Sequence, residues 1–327
     1  MLPKFAIIIP VFEPSPVFWQ LLSSLEHQTV QPSEIAIIID GGKSGEPLRK
    51  KLIEKFFYSE HISVYFSHEN KGLTNTYNYG VLKTSSPILV FIHQDVIPAK
   101  TTSLHELLSP FLDPNVVAVG HVNQKWNYKQ VEYASIPLIA FLMSTQYKKA
   151  QGWDGKFDAV RRSAFQEVGG FSNGLFRTAG EDGYLMSKLK KAGGVVVNSN
   201  AEVMHFQTTL SFGWFDYFRK RRQYAEALGV LFRNRSLPLN EAISAFWREL
   251  YLITNLFTIS FIKNFELIEL LIILGFLITP WMIIPCLALY YSKRPMSLIL
   301  TFALEPIALI YSFWGLITGY TTGKQSF

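Results

Sequence analysis

The sequence predicts an α/β fold followed by a C-terminal membrane segment, and three observations lead there. Short β-branched runs alternate with helical patterns through the N-terminal third; acidic and amide side chains fall where those runs end; and the longest apolar stretches all lie after Tyr251. At 327 residues the chain has room for one large domain and an appendage, because single domains usually span about 100–250 residues.

Residues 5–9 read as a first buried strand, closed by Pro10 and Pro14. Its apolar length of about five to eight residues is short for a signal-peptide core. A helix over 17–27, a strand over 34–39, a helix over 45–57 and a strand over 63–66 follow. This βαβαβ rhythm implies parallel strands with helices on both faces. Leu73, Tyr77 and Val81 recur at i, i+4 and i+8 and predict a helix over 73–82, with the next strand over 87–93. Residues 113–153 are irregular, with a strand expected at 116–119 and a loosely helical segment at 136–147.

Residues 212–248 are helical, aromatic and basic, with seven Lys/Arg against three Asp/Glu, and read as an interfacial collar. The dense run Arg219-Lys220-Arg221-Arg222 is expected to meet anionic lipid or a phosphate-bearing acceptor. Beyond it lie apolar stretches at 250–262, 267–291 and 296–320. A crossing needs about 20 residues, so the last two are expected to span and the first is arguable. The loop Ser292-Lys293-Arg294-Pro295 and the collar are both positive, which places them on the cytoplasmic side and favours counting the first stretch as inserted. Glu305, in the middle of the last span, requires a partner, a polar cavity or a proton.

The net charge of +6 is too diffuse for a nucleic-acid footprint, so no nucleic-acid partner is expected. The single cysteine, Cys286, excludes an intrachain disulfide and a cysteine-based metal site.

The chemistry gathers at strand ends, where open α/β sheets bind ligands. Pro10-Val11-Phe12-Glu13 follows the first strand and Ile39-Asp40-Gly41-Gly42 the second; an acid there accepts from a ribose hydroxyl or a base N–H, although Asp-Gly is also ordinary turn chemistry. The stretch Asn70-Lys71-Gly72, running on to Asn78, puts a glycine turn at a helix start, where N–H groups and Lys71 favour a diphosphate. Phe91-Ile92-His93-Gln94-Asp95 ends a strand in a carboxylate, and Mg²⁺ or Mn²⁺ bridging a nucleotide diphosphate needs only one or two of these. Downstream, Asp158-Ala159-Val160-Arg161-Arg162 leads through Val168-Gly169-Gly170-Phe171 to Gly180-Glu181-Asp182 at a helix start. An acid held there suits proton abstraction from an acceptor hydroxyl, or simply caps the helix. His205, at the end of a further expected strand, is positioned for metal or phosphate contact.

In this order the segments resemble the family 2 glycosyltransferases of the GT-A fold, over about residues 4–210; Val-Gly-Gly-Phe followed by Gly-Glu-Asp is the most specific part. The resemblance implies a Rossmann-like mixed sheet and C-terminal transmembrane helices. The parts it implies are a catalytic domain at 1–211, basic interfacial helices at 212–248 and a membrane anchor at 249–327, with 113–153 on the acceptor side. It implies a nucleotide-sugar donor contacted by Pro10, Phe12, Glu13, Asp40, Asn70, Lys71, Gly72, Asn78, Gln94, Asp95 and Glu181. Asp95 and His205 would hold Mg²⁺ or Mn²⁺, and Asp182 would act as general base in an inverting transfer. The acceptor would be a lipid-linked or membrane-proximal glycan, and the protein an integral membrane enzyme with its catalytic domain on the cytoplasmic side, in contact with membrane lipids. His93 replaces the first acid of the family's Asp-x-Asp pattern and Gly41 the second acid of its Asp-Asp-Gly pattern; uridine, thymidine and guanosine donors stay open. Two further readings stand beside this one: a polyprenyl-phosphate sugar synthase, and a non-catalytic nucleotide-sugar-binding scaffold.

Overall fold

The computed structural model describes residues 2–56, 59–121, 123–125, 134–146, 153–177, 179–206, 212–237 and 282–326, with residues 239, 243 and 247. The chain divides into two compact units: residues 1–127 with 150–208, and residues 128–149 with 209–327.

The first unit is built on a seven-stranded sheet. Strands β1 (Phe5–Val11), β2 (Glu34–Asp40), β3 (Ile62–Ser67) and β4 (Ile88–Ile92) are mutually parallel where they pair. The short β5 (Val96–Pro98) follows β4, and β6 (Val116–Gly120), β7 (Asn123–Lys125), β8 (Phe157–Arg161), β9 (Val195–Asn198) and β10 (Glu202–His205) complete the set. The order in the large sheet is β3-β2-β1-β4-β8-β6-β9. The expected strands are all present, within a residue or two of their predicted ends. What the rhythm did not announce is β8, which inserts antiparallel between β4 and β6 and makes the sheet mixed. A strand reading Phe-Asp-Ala-Val-Arg carries two charges, and its place is set by pairing with distant partners.

Both faces of the sheet are covered, which is why β1, β2 and β4 are apolar almost without interruption. Phe5, Ile7 and Ile9 pack with α1 (Pro16–Glu26), α2 (Gly45–Lys55) and α4 (Ser103–Leu108); Ile8 packs on the other face with α3 (Leu73–Leu82). Helix α1 starts cleanly because Ser15 accepts the Val17 N–H and Pro16 occupies the first turn. In a second, three-stranded sheet β10 runs between β5 and β7, and its register sets His205 opposite Val96, next to Asp95.

The second unit contains α5 (Ile136–Gln146), α8 (Trp214–Arg233), α9 (Met282–Ser292) and α10 (Pro295–Thr322). Helix α10 is long and apolar enough to cross a membrane, in line with the span expected at 296–320. The stretch 250–262 lies outside the described residues, as does most of 267–291, whose end is α9.

Helix α10 turns a seam of small and polar residues, Ser297, Thr301, Glu305, Ala308, Ser312, Gly315 and Gly319, to the interior. Gly315 and Gly319 lie so close to the Arg222 and Glu226 carbonyls of α8 that a methyl group would collide with backbone at either. Small residues at such seams let helices approach at backbone distance. Glu305 is 1% exposed and finds the partners its position demanded. Tyr217 Oη donates to its Oε2 at 2.5 Å, and Arg221 Nη1 lies 3.5 Å from Oε1 while its Nε donates to Ser312 Oγ.

This corrects the reading of Arg219–Arg222 as one lipid- or phosphate-facing run. Arg221 is 6% exposed and faces Glu305. Arg222 lies 3.8 Å from the centre of the Trp314 ring, and Arg219 pairs with Asp216. Four consecutive residues on a helix point four ways, so a run of charge is not a charged face.

Candidate active site

At the carboxyl ends of β1, β2 and β4, Pro10, Phe12, Asp40, Asn70, His93, Asp95 and their neighbours line a cleft of about 270 Å³. Thus seven of the expected donor contacts, Gly72 and Gln94 included, meet in one place. Phe12 offers a ring that is 47% exposed.

The loops that shape the cleft are tied together by the same side chains. Gln94 forms a reciprocal pair with the Phe12 backbone, accepting its N–H at 3.1 Å and donating to its carbonyl at 2.7 Å. Asp40, buried, accepts from the Lys71 and Gly72 N–H groups at 2.8 and 2.9 Å, and Asn70 Oδ1 accepts from Gly72 as well. Gly72, at φ 83°, is the residue before the first turn of α3. Glu13, itself at positive φ, accepts from Lys43 N and Ser44 Oγ, both at 2.7 Å. Those bonds, Ser44 first, hold its carboxyl below the ordinary range. Glu13 and Asp40 therefore organise the loops of the cleft in this structure.

Four expected contacts, Glu13, Lys71, Asn78 and Glu181, do not line the cleft. Asn78 uses its amide on the glycine-rich loop: Nδ2 donates to Phe171 O and Asn173 Oδ1, and Oδ1 accepts from Phe171 N. Lys71 is not among the lining residues, whereas Arg177, on the loop between Gly170 and Gly180, is; it is the one cation among the described lining residues. No motif pointed to Arg177, which reaches the cleft because the loop is pinned at both ends, by Asn78 and by Phe176 against Tyr184.

Asp95 and His205 come together as expected, with His205 Nε2 3.3 Å from Asp95 Oδ2. Burial works to raise the Asp95 carboxyl, but the bond to His205 and the charges nearby outweigh it and hold it below the usual value. An oxygen and a nitrogen ligand at the wall of a nucleotide-sized cleft fit a divalent ion whose remaining ligands are phosphate oxygens. His93, two residues earlier, is half-buried and stacked on Tyr77, and desolvation pushes it down to about 4.

Beyond α6 (Arg162–Glu167), Glu181 and Asp182 open α7 (Glu181–Lys191) after Gly180 at φ 96°. Burial pushes both up, Glu181 to about 8 with the Asp182 charge adding to it, and Asp182 to about 6 with Asp154 and Asp158 adding to it. Two neighbouring acids driven apart in this way give one protonated and one largely ionised carboxyl at neutral pH. Tyr77 links the two ends of the site. Its buried phenol is raised well above the usual value by desolvation and by the charges of Glu181, Asp158, Asp95 and Asp154 around it.

A further group was not foreseen. His121, Asp154 and Asp158 bring one nitrogen or oxygen each within 4.8 Å of one another, a spacing that admits a metal ion. The local signals were Asp154-Gly155, a turn pair, and Asp158 at the head of the downstream motif; Asp158 lies in β8 and His121 directly after β6.

The pattern of glycosyl transferase family 2 matches residues 6–169, and that of glycosyl transferase family group 2 matches residues 99–317. The O-antigen chain rhamnosyltransferase RfbN of Salmonella typhimurium is 26% identical over 210 residues, covering 58% of this chain and 62% of that protein. WbaN of Salmonella anatum, also an O-antigen chain rhamnosyltransferase, is 26% identical over 205 residues, again 62% of its length. Among solved structures, the mannosyltransferase PcManGT from Pyrobaculum calidifontis, in complex with GDP-Man and Mn²⁺, superposes with a TM-score of 0.53 at 15% identity, covering 99% of this chain and 86% of that one. GalNAc-T7 with UDP, GalNAc and Mn²⁺ gives 0.52 at 15% identity over 72% of this chain and 52% of that one. Strand-end cleft, mixed sheet and sequence patterns agree, and the chain belongs to glycosyl transferase family 2 and has the GT-A fold.

Proposed function

We propose that the protein transfers a sugar from a nucleoside diphosphate to a lipid-linked or membrane-proximal glycan, with inversion, and that Asp182 is the general base. The observation that carries this is the Glu181–Asp182 pair, in which Asp182 is shifted to about 6 beside a neighbour at about 8. A base is most effective when its pKa lies near the working pH, because it is then both ionised and strong enough to draw a hydroxyl proton. As the acceptor oxygen attacks the anomeric carbon its proton passes to Asp182, and the nucleoside diphosphate leaves on the opposite side.

In this reading Pro10, Phe12 and Gln94 shape the nucleoside pocket, with the Phe12 ring beside the base. Glu13, Asp40, Asn70 and Gly72 hold the surrounding loops, and Arg177 faces the diphosphate. Asp95 and His205 would hold Mn²⁺ or Mg²⁺, which when bound neutralises charge on the departing diphosphate. Both superposed structures contain Mn²⁺, which supports the metal. The two relatives act on O-antigen chains as rhamnosyltransferases, which supports a polysaccharide acceptor and makes nucleotide-activated rhamnose the first donor to test. Helix α10 supports attachment to a membrane, with the catalytic unit on the cytoplasmic side where nucleotide sugars are made.

The test is release of nucleoside diphosphate by detergent-purified protein from UDP-, dTDP- and GDP-sugars with Mn²⁺, Mg²⁺ or EDTA, with membrane lipid extract as acceptor. Metal-dependent release from one donor, lost in Asp182→Asn and Asp95→Ala, is the expected result. Donor binding without release on any acceptor would instead favour a scaffold, and no binding at all would overturn the proposal.

A further inference from the structure

The turn Asp154-Gly155-Lys156 belongs to none of the motifs, yet it is clamped on several sides. Asp158 Oδ2 accepts from Asp154 N at 3.0 Å and from Gly155 N at 2.5 Å. The other oxygen of Asp158 meets His121 twice, at the backbone N–H (3.3 Å) and at ring Nδ1 (3.2 Å). His121 Nε2 lies 3.6 Å from Asp154 Oδ1, and Lys156 Nζ takes the second Asp154 oxygen at 2.8 Å. Tyr77 Oη donates to Gly155 O and the His93 N–H to Lys156 O. Gly155, at φ 77°, faces Asp182 closely: a Cβ there would stand 3.2 Å from the Asp182 Cβ.

We propose that His121 is a positioning residue for sugar transfer: bridging Asp154 and Asp158, it locks the 154–156 turn against Asp182 and balances the negative charge beside it. The inference rests on the reading of Asp182 as the base.

The groups facing His121 are Asp154, Asp158 and Lys156. Those facing Asp182 are Glu181, Asp154, Asp158 and Lys156. Desolvation works to lower the buried imidazole, but the bond to Asp158 and the Asp154 charge outweigh it, so the ring is raised and favours its cationic form. Loss of that cation leaves two carboxylates against Lys156 alone, next to a third carboxylate that must ionise. Like charge at this range raises the remaining acid. The same three side chains have a spacing that admits a metal, but Asp158 already accepts four donors and both ring nitrogens face a carboxylate. A proton, not a metal ion, closes the cluster.

Two variants of the full chain in detergent separate geometry from charge. His121→Asn keeps a donor toward Asp158 without the cation; His121→Leu keeps neither. Hydrogen exchange, which needs no turnover, is read first: in His121→Leu the amides of 153–158 exchange at least ~10-fold faster while β1 is unchanged, since local opening is governed by the contacts that close it. In the kcat profile, the acidic limb moves up by about half to one pH unit in His121→Asn with the donor KM within about twofold. In His121→Leu the alkaline plateau also falls, by ~10-fold or more, as expected for a displaced reacting group. Unchanged exchange in His121→Leu overturns the positioning role, whether or not the wild type turns over. An active wild type whose variants lose thermal stability but keep its pH profile overturns the effect on Asp182. One equivalent of metal retained through EDTA treatment by wild type and absent from His121→Asn overturns the proton-held cluster.

Discussion

Replacing Asp182 by Asn is expected to abolish activity and yet stabilise the fold at alkaline pH. The carboxyl is raised from 3.8 to about 6 by burial and by Asp154 and Asp158. Two units at about 1.4 kcal/mol each amount to at most about 3 kcal/mol, an upper bound because the side chain is partly open to solvent. A raised folded-state value means that the folded protein holds the proton more tightly than the unfolded chain. The stability this gives is complete below about pH 4 and is lost as pH rises through 6. Above that the wild type carries a desolvated charge that the Asp182→Asn variant lacks. Thermal unfolding in detergent from pH 4 to pH 8 should therefore show the two proteins converging at the acid end and Asp182→Asn melting higher, by a few degrees, at the alkaline end. Activity reports the opposite sense. With the base about 10% ionised at pH 5 and about 90% at pH 7, wild-type kcat should rise through pH 6 to a plateau, while the variant should be ~10²–10⁴-fold slower throughout. A wild-type kcat flat from pH 5 to 8, or a variant less stable than wild type at pH 8, would refute the assignment.

Three other outcomes are expected. Arg177→Gln should weaken binding of the nucleoside diphosphate by ~10-fold while binding of the bare nucleoside changes little, measured by calorimetry with Mn²⁺, since a cation on a phosphate acts through charge. Arg221→Met or Glu305→Met alone should each destabilise by about 3 kcal/mol, because removing one partner strands the other in a buried seam, whereas the two together should lose much less than the sum; additive losses in the thermal cycle would show that the pair is not coupled. Gly319→Leu should separate α8 from α10 and lower the melting temperature more than Ile317→Leu on the exposed side of α10, because the Glu226 carbonyl leaves no room for a side chain there.

The elements that came through from the sequence are those whose cause is local. Helix α3 was readable from Leu73, Tyr77 and Val81 and is found at Leu73–Leu82. Strands β1, β2 and β4 were readable because both of their faces are buried and their apolar runs are nearly unbroken. The cleft residues were readable because strand ends in a parallel sheet converge, so Asp40, Asn70 and Asp95 meet wherever the chain is threaded that way. Strand β8 was not, since the charges in Phe-Asp-Ala-Val-Arg mask its alternation and its antiparallel place depends on β4 and β6. Asn78 illustrates a different failure: its position near the glycine turn suggested a ligand contact, but three backbone and side-chain partners 93 to 95 residues away take its amide.

By itself, then, the sequence determined the α/β class, the order of the first elements, the family and the set of acids from which the site is drawn, because periodicity, turn chemistry and strand-end placement are properties of neighbouring residues. Only the tertiary structure decided what each charge does. It set His205 on Asp95 through the register of β10, gave the cleft its cation from Arg177, turned Arg221 from the surface to Glu305, and enclosed His121 between Asp154 and Asp158. A charge acquires its energy from burial and from partners within a few ångströms, and those partners are brought by chain segments that no local pattern relates.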